Sequence, residues 1–360
     1  MTSMQFGNEH SSLYFGDSLD FYKIWPNANV IVSDGPYGVS GFKGDPGSPQ
    51  ELPELYEPHI KEWTNNAKSG ATLWFWNTEI GWALVHPILE KYGWEYKGVN
   101  TWNKGLGFIA GNSNSKTLSK FPIVTEVCVQ YVLKPKFYVS GKEVEEKVWL
   151  RAEWKRTGMP LSKTNEACGV KNAATRKYFT QCDLWYSPPA EQFEKIVNYA
   201  NEFGNPDGRP YFSLDGKKPL EIKEWENIHP KFYCPIGVTN VWDEPMVSGN
   251  ERIRKVGSKK AAHSNQKPLA LMRLIIESSS DKGNVVWEPF GGLCSAMYAA
   301  IELGRRAYGS EINKDFYQLG GERLESLFGA KGLNELQKSE DESDTACSDK
   351  ADQLSIVFKQ

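Results

Sequence analysis

Apolar residues in this chain come in short runs, each closed by glycine or a polar turn, and the runs alternate with stretches of helical spacing. Leu13-Tyr14-Phe15 runs into Gly16-Asp17. Val30-Ile31-Val32 stops at Ser33-Asp34-Gly35-Pro36-Tyr37, ahead of a glycine-rich segment, 38–47. Gly70 opens a strong strand over 71–76, and 94–102 and 123–133 read as further strands, with helices over 54–66 and 79–92 between them. After a long interruption the alternation returns. A helix led by Pro268 covers 269–279, a strand 284–287, a turn Glu288-Pro289-Phe290-Gly291-Gly292, a helix 295–303, a strand 306–310 ending at Glu311, and a last helix 314–327. Strands alternating with amphipathic helices predict an α/β fold with a mainly parallel sheet covered on both faces.

The interruption has a different texture. Residues between Trp102 and Phe121 are polar and predict a loop, and 38–50 predicts a mobile one. From Lys134 onward, a charged helix over 143–157, a short helix from Pro160 to Gly169 and a third over 172–180 have the outline of a helix-turn-helix. The last of these carries Lys171, Asn172, Thr175, Arg176 and Lys177, residue types that contact phosphates and base edges when such a helix enters a major groove. A further helix is expected at 190–203, with Ser187-Pro188-Pro189-Ala190 as its cap. The chain therefore divides into 1–135, an inserted, mainly helical module over 136–240, 241–330, and an acidic tail over 331–360 expected to be disordered.

At 360 residues, 40% of them hydrophobic, there is material for one large domain plus an insert. No apolar run reaches the roughly 18 residues of a membrane span, and the N-terminus lacks the basic and apolar regions of a signal peptide. The six cysteines form no CxxC pair, so neither a zinc site nor a disulfide framework is indicated, and a reducing cytoplasm is the expected compartment. Net charge is −3 but unevenly placed: 134–180 holds eleven Lys or Arg against five Glu, and 250–273 seven against one. Two basic zones in a nearly neutral chain suit a polyanion-binding face, provided that they meet in space.

Two strand ends carry candidate chemistry. Ligands of open α/β sheets bind at the carboxyl ends of strands. There Asp34 can accept a hydrogen bond from an amino group while Tyr37 stacks on a flat molecule, although the same residues also suit an ordinary turn. The strand–glycine turn–helix at 284–303 is the dinucleotide-type arrangement, with Glu311 placed to hold a ribose. It lacks GxGxxG. An acid at Glu288 disfavours a pyrophosphate and suits a cationic ligand; an adenosine bearing an amino acid and a sulfonium, S-adenosylmethionine, fits all of these features.

These motifs resemble those of the amino-group (N6-adenine/N4-cytosine) DNA methyltransferases. Asp34-Gly35-Pro36-Tyr37 looks like their Asp-Pro-Pro-Tyr, Glu288 to Gly292 like their cofactor loop, His263-Ser264-Asn265-Gln266-Lys267-Pro268 like their His-Pro-Thr-Gln-Lys-Pro box, and Gly16-Asp17 like their Gly-Asp. Catalytic motif first, insert in the middle and cofactor loop last is the order of the β class. The resemblance covers roughly 11–135 and 238–328. It implies a Rossmann-like, circularly permuted S-adenosylmethionine-dependent methyltransferase fold with an inserted DNA-recognition module. By position it implies a catalytic set Asp34, Gly35, Pro36 and Tyr37, with Asp34 and the Gly35 carbonyl taking the two hydrogen bonds of the target amine and Tyr37 stacking on the extruded base. It implies cofactor contacts from Asp17 (adenine), Glu311 (ribose), Glu288, Phe290, Gly291 and Gly292 (pocket), and Ser264 and Lys267 (methionine end), with no metal. The implied partner is double-stranded DNA, its base flipped out because the amine is paired and stacked in the duplex; a cognate restriction endonuclease and a homodimer are compatible with the same family.

The implied reaction is methylation of adenine N6, with cytosine N4 as the alternative and an inactive DNA-binding relative as a further one. Two departures stand out. Gly35 replaces a proline, and Leu293-Cys294 replaces Ser-Gly in the cofactor loop.

Overall fold

The sheet is built outward from β3 (Ala28–Ser33), whose neighbours are β4 (Ala67–Asn77) and β10 (Val285–Glu288), both parallel to it. Beyond β10 lie β11 (Arg306–Glu311) and β2 (Ser11–Phe15), also parallel, and then β1 (Gln5–Asn8), antiparallel. On the other side β6 (Thr125–Leu133) and β5 (Trp94–Asn103) follow, with the two-residue β9 (Val241–Trp242) at the edge. The computed structural model describes residues 5–8, 10–40, 45–105, 118–255 and 257–327. The acidic tail and most of the polar loop after Trp102 lie outside the described residues.

Side chains of the central strands alternate between two cores. Val30, Val32, Trp74 and Trp76 face α8 (Leu269–Ser279) and α9 (Ser295–Glu302). Ile31, Leu73 and Phe75 face α1 (Leu52–Asn66) and α2 (Glu79–Lys91), where Tyr56, Ile60 and Trp63 are fully buried. This two-sided burial is why these strands read as unbroken apolar runs, and each large side chain so enclosed stabilises by about 1.5–3 kcal/mol. The sheet is less parallel than expected. β6 runs antiparallel to both β4 and β5. The chain leaves β5 and re-enters β6 at the same end of the sheet, so β6 must run back. α10 (Lys314–Glu325) closes the fold, capped by Asn313, whose side chain accepts from the Asp315 and Phe316 amides.

The insert has a core of its own. A hairpin, β7 (Phe137–Val139) and β8 (Lys142–Val144), turns through Ser140 and Gly141, both at positive φ. It is followed by α3 (Glu146–Arg156), α4 (Lys163–Ala167), α5 (Ala173–Tyr178), α6 (Ala190–Phe203) and α7 (Ile222–Ile228). Phe137, Trp149, Trp154, Phe193, Phe212 and Trp225 pack together, with the Phe193 and Trp225 rings stacked at 3.7 Å. The insert meets the sheet where α7 ends against the start of β4. Gly70, at φ +74°, lies so close that a Cβ there would be 2.6 Å from the Ile228 carbonyl oxygen. Ser69 Oγ also donates to that oxygen (3.5 Å).

The helix-turn-helix outline is present but abbreviated. α4 and α5 span five and six residues, and α5 is under two turns long. Thr175, expected on a DNA-facing surface, is turned inward: its hydroxyl is 2.7 Å from that of Thr164 and donates to the Leu161 carbonyl (3.1 Å). Lys171, Asn172, Arg176 and Lys177 are exposed. Among the described residues no helix is long and apolar enough to cross a membrane.

Candidate active site

Asp34 stands one residue beyond the end of β3, at the carboxyl edge of the parallel strands. The backbone after it is fixed from three sides. The Pro36 carbonyl accepts from Tyr56 Oη (3.0 Å) and Asn77 Nδ2 (3.0 Å). Asp45 takes the amides of Tyr37 (3.0 Å), Gly38 (2.6 Å) and Val39 (3.3 Å). The segment expected to be a mobile loop thus carries, in its described part, the carboxylate that clamps the ledge; residues 41–44 lie outside the described residues. Gly35 also has a steric cause. A Cβ there would fall 2.6 Å from the Phe290 ring and 2.6 Å from the Tyr56 hydroxyl. The ring of the cofactor-type turn occupies the space that a proline would need.

Beneath Asp34 is a buried polar network joining segments distant in sequence. Lys267 Nζ, 1% exposed, donates to Asp34 Oδ1 (2.6 Å) and Tyr37 Oη (3.0 Å) and lies 3.3 Å from Glu126 Oε2. Tyr37 Oη donates to Asp34 Oδ1 (2.8 Å). Lys104 pairs with Glu126 from the other side. In the orientation that satisfies both of its amide atoms, Asn265 donates to Glu126 Oε1 (2.9 Å) and accepts from Lys267 (3.0 Å). Burial alone would raise Glu126, but Lys267 and Lys104 more than offset it and hold the carboxyl below its ordinary range. Burial likewise pulls Lys267 down, while Asp34 and Glu126 outweigh it and keep the ammonium charged. Such a network is worth forming only when every member is satisfied.

A second group forms where β2, β10 and β11 end together. The Gly16 amide donates to the Glu311 carbonyl (3.0 Å), and Ser18 Oγ bonds both the Pro289 carbonyl and Ser310 Oγ. Glu311 accepts from the Gly292 amide (2.6 Å) and the Asn313 amide (2.6 Å). Gly292, at φ +51°, faces open space. Asp17 is exposed and accepts from the Leu19 amide (2.9 Å). Glu288 is committed elsewhere: it accepts from the Ala296 (3.1 Å) and Met297 (2.7 Å) amides at the start of α9, and burial lifts its carboxyl to about 8.

Of the residues expected at the site, Asp34 to Tyr37 form one cluster, and Asp17, Phe290 to Gly292 and Glu311 form another. The Gly35–Phe290 contact joins the two. Lys267 reaches the ledge from below, and Tyr37 is only 9% exposed, its ring edged by the Lys267 ammonium. Ser264 is exposed beside His263, which packs on Phe316 of α10 at 4.8 Å. Lys104, Glu126, Asn77 and Asp45 were not anticipated. An acid inside the apolar run 123–133 was the one signal present.

Residues 28–322 match the family described as DNA methylase. The chain belongs to that family. Among its relatives, type II methyltransferase M.HindIII of Haemophilus influenzae is 36% identical over 286 residues, covering 78% of this chain and 72% of that protein. DNA adenine methyltransferase YhdJ of Escherichia coli is 37% identical over 101 residues, 28% of this chain; the match spans 32% of that relative's length. Among solved structures, the PvuII DNA methyltransferase (cytosine-N4-specific) aligns over 92% of this chain and 96% of its own at 10% identity and a TM-score of 0.49. In this DNA methylase the ledge precedes the glycine turn in sequence, while β3 and β10 lie side by side in the sheet. The permuted motif order therefore still builds a single Rossmann-like site.

Proposed function

We propose that this protein transfers the methyl group of S-adenosylmethionine to the N6 amine of an adenine extruded from double-stranded DNA. The observation that carries the reading is the seating of Asp34 against the glycine turn through the Gly35–Phe290 contact. It sets an amine-binding carboxylate beside a cradle lined by acids and open backbone. The residues suit the cofactor. Asp17 and Glu311 are acceptors for amino and hydroxyl groups. S-adenosylmethionine would supply a sulfonium-bound methyl group.

The chain's part is orientation. Asp34 Oδ1 is already occupied by Tyr37 and Lys267, which leaves Oδ2 for one N–H of the target. The Gly35 carbonyl takes the other. Both hydrogen bonds lie in the plane of the amine and turn its lone pair towards the methyl group. The nitrogen forms the new N–C bond as the S–C bond breaks, its electron pair staying on sulfur, and the methylated amine then sheds a proton. Stacking on Tyr37 requires the ring to be uncovered further when the base arrives. The name of the Escherichia coli relative supports adenine.

The test is transfer of labelled methyl groups to duplex DNA, followed by digestion to nucleosides. N6-methyldeoxyadenosine is the expected product. N4-methyldeoxycytidine would move the assignment to cytosine, and no transfer would leave a DNA-binding relative without activity. Asp34→Ala should abolish transfer while calorimetry still detects cofactor binding; full activity in that variant would remove Asp34 from its role.

A further inference from the structure

We propose that a basic hairpin formed by 254–255 and 257–261, rather than the helical insert, holds the phosphates of the duplex whose base enters the site. This rests on the methyltransferase reading. The hairpin is defined by an antiparallel bridge between Arg254 and Ala261, by the Lys255 amide donating to the Lys260 carbonyl (3.0 Å), and by the Arg254 guanidinium bonding the Lys259 carbonyl (2.6 Å). Arg254 is thus spent on stiffening the turn. Lys255, Lys259 and Lys260 are exposed and have no carboxylate within ion-pair distance among the described residues. In the insert, Arg156, Lys163, Arg209 and Lys218 each pair with an acid, while Lys171, Arg176 and Lys177 are exposed without an ion pair among the described residues, so position rather than pairing separates the two zones.

At the base of the hairpin, the Ile253 amide donates to Gln266 Oε1 (3.0 Å), and Arg252 bonds the Val247 (3.0 Å) and His263 (3.3 Å) carbonyls. Gln266 is followed directly by Lys267, which touches Asp34. The hairpin is therefore rooted at the ledge. The insert's α7 meets the sheet at Gly70, seven residues before Asn77, or about 23 Å along the strand from the ledge. The two basic zones of the sequence thus attach to opposite ends of the sheet. Lysines are suited to phosphates as mobile point charges, and such contacts set affinity and register without reading bases.

The experiment measures binding of the full-length protein to a fluorescent duplex of about 30 base pairs over a series of salt concentrations. Each phosphate contact adds about 0.9 to the slope of log K against log salt. The variant Lys255→Ala/Lys259→Ala/Lys260→Ala should lower that slope by about 2–3 and weaken binding at least tenfold, with cofactor binding unchanged. Lys171→Ala/Arg176→Ala/Lys177→Ala should keep the wild-type slope. A wild-type slope in the hairpin variant, or a lowered one in the insert variant, overturns the inference. Wild-type protein that neither binds nor methylates DNA would instead overturn the methyltransferase reading; wild-type activity with an unaffected hairpin variant overturns the inference alone.

Discussion

At Gly35 the expected proline is absent because the Phe290 ring and the Tyr56 hydroxyl leave no room for any side chain. Gly35→Ala should therefore cost about 1–3 kcal/mol by overpacking and reduce methyl transfer, since relief requires Phe290 to move the glycine turn. Denaturant melts and a transfer assay would show both. The ammonium of Lys267 makes a different prediction. Removing one member of a buried ionic group costs about 3–5 kcal/mol, so Lys267→Met should be strongly destabilised, and adding Glu126→Gln should recover part of the loss. The pH dependence follows from Glu126. Its folded carboxyl lies below the ordinary value of 4.5, so the stabilisation it contributes is complete above pH 4.5 and disappears as pH falls through the folded value. Glu126→Gln should flatten that acid limb in melts recorded across pH. An undiminished limb would mean that other carboxylates produce it. Asp34 and Tyr37 were legible because they belong to a contiguous motif. Lys104, Glu126 and Lys267 become neighbours only after the sheet has brought 104, 126 and 267 together, and no local spacing encodes that.

The second departure from the family pattern is resolved at the junction of β10, α9 and α10. Cys294 caps α9 in the left-handed region, at φ +57°, where a glycine would be free of strain. Its side chain is fully buried, and a Cβ at Gly320 of α10 would lie 2.7 Å from its sulfur. The helices meet closely because one position is bare where the other is filled. Gly320→Ala should destabilise by about 1–3 kcal/mol, whereas Cys294→Gly exchanges about 1–2 kcal/mol of left-handed strain for lost burial. The double variant should be more stable than the sum of the single effects, and a double-mutant cycle with additive values would reject the pairing. Helices such as α6 and α8 could be read from the sequence to the residue, since apolar spacing and flanking prolines decide their ends. The direction of β6 could not, because strand polarity depends on where the intervening loop returns. β9 and α7 are short, and packing rather than periodicity makes them regular.

The whole molecule has one core on each face of the sheet and a third inside the insert. The sheet with its covering helices encloses the ledge and the glycine turn. The insert encloses its own aromatic cluster and leans on β4 through α7. The sequence changes texture at Lys134, but nothing in it says where the segment that follows packs. Only the exit of β6 at the far end of the sheet determines it. Cores that pack as separate clusters should open separately. Native-state hydrogen exchange under mild denaturant should show amides of 137–228 exchanging as one group and those of β3, β4 and β10 as another. Cofactor present in excess stabilises only the unit that contains its site. It should therefore slow exchange in β3, β4, β10 and β11 and leave the insert's rates unchanged. If cofactor slowed both groups equally, the α7–β4 contact would have to couple insert and sheet tightly, and movements of the insert could then reach Asp34 along β4.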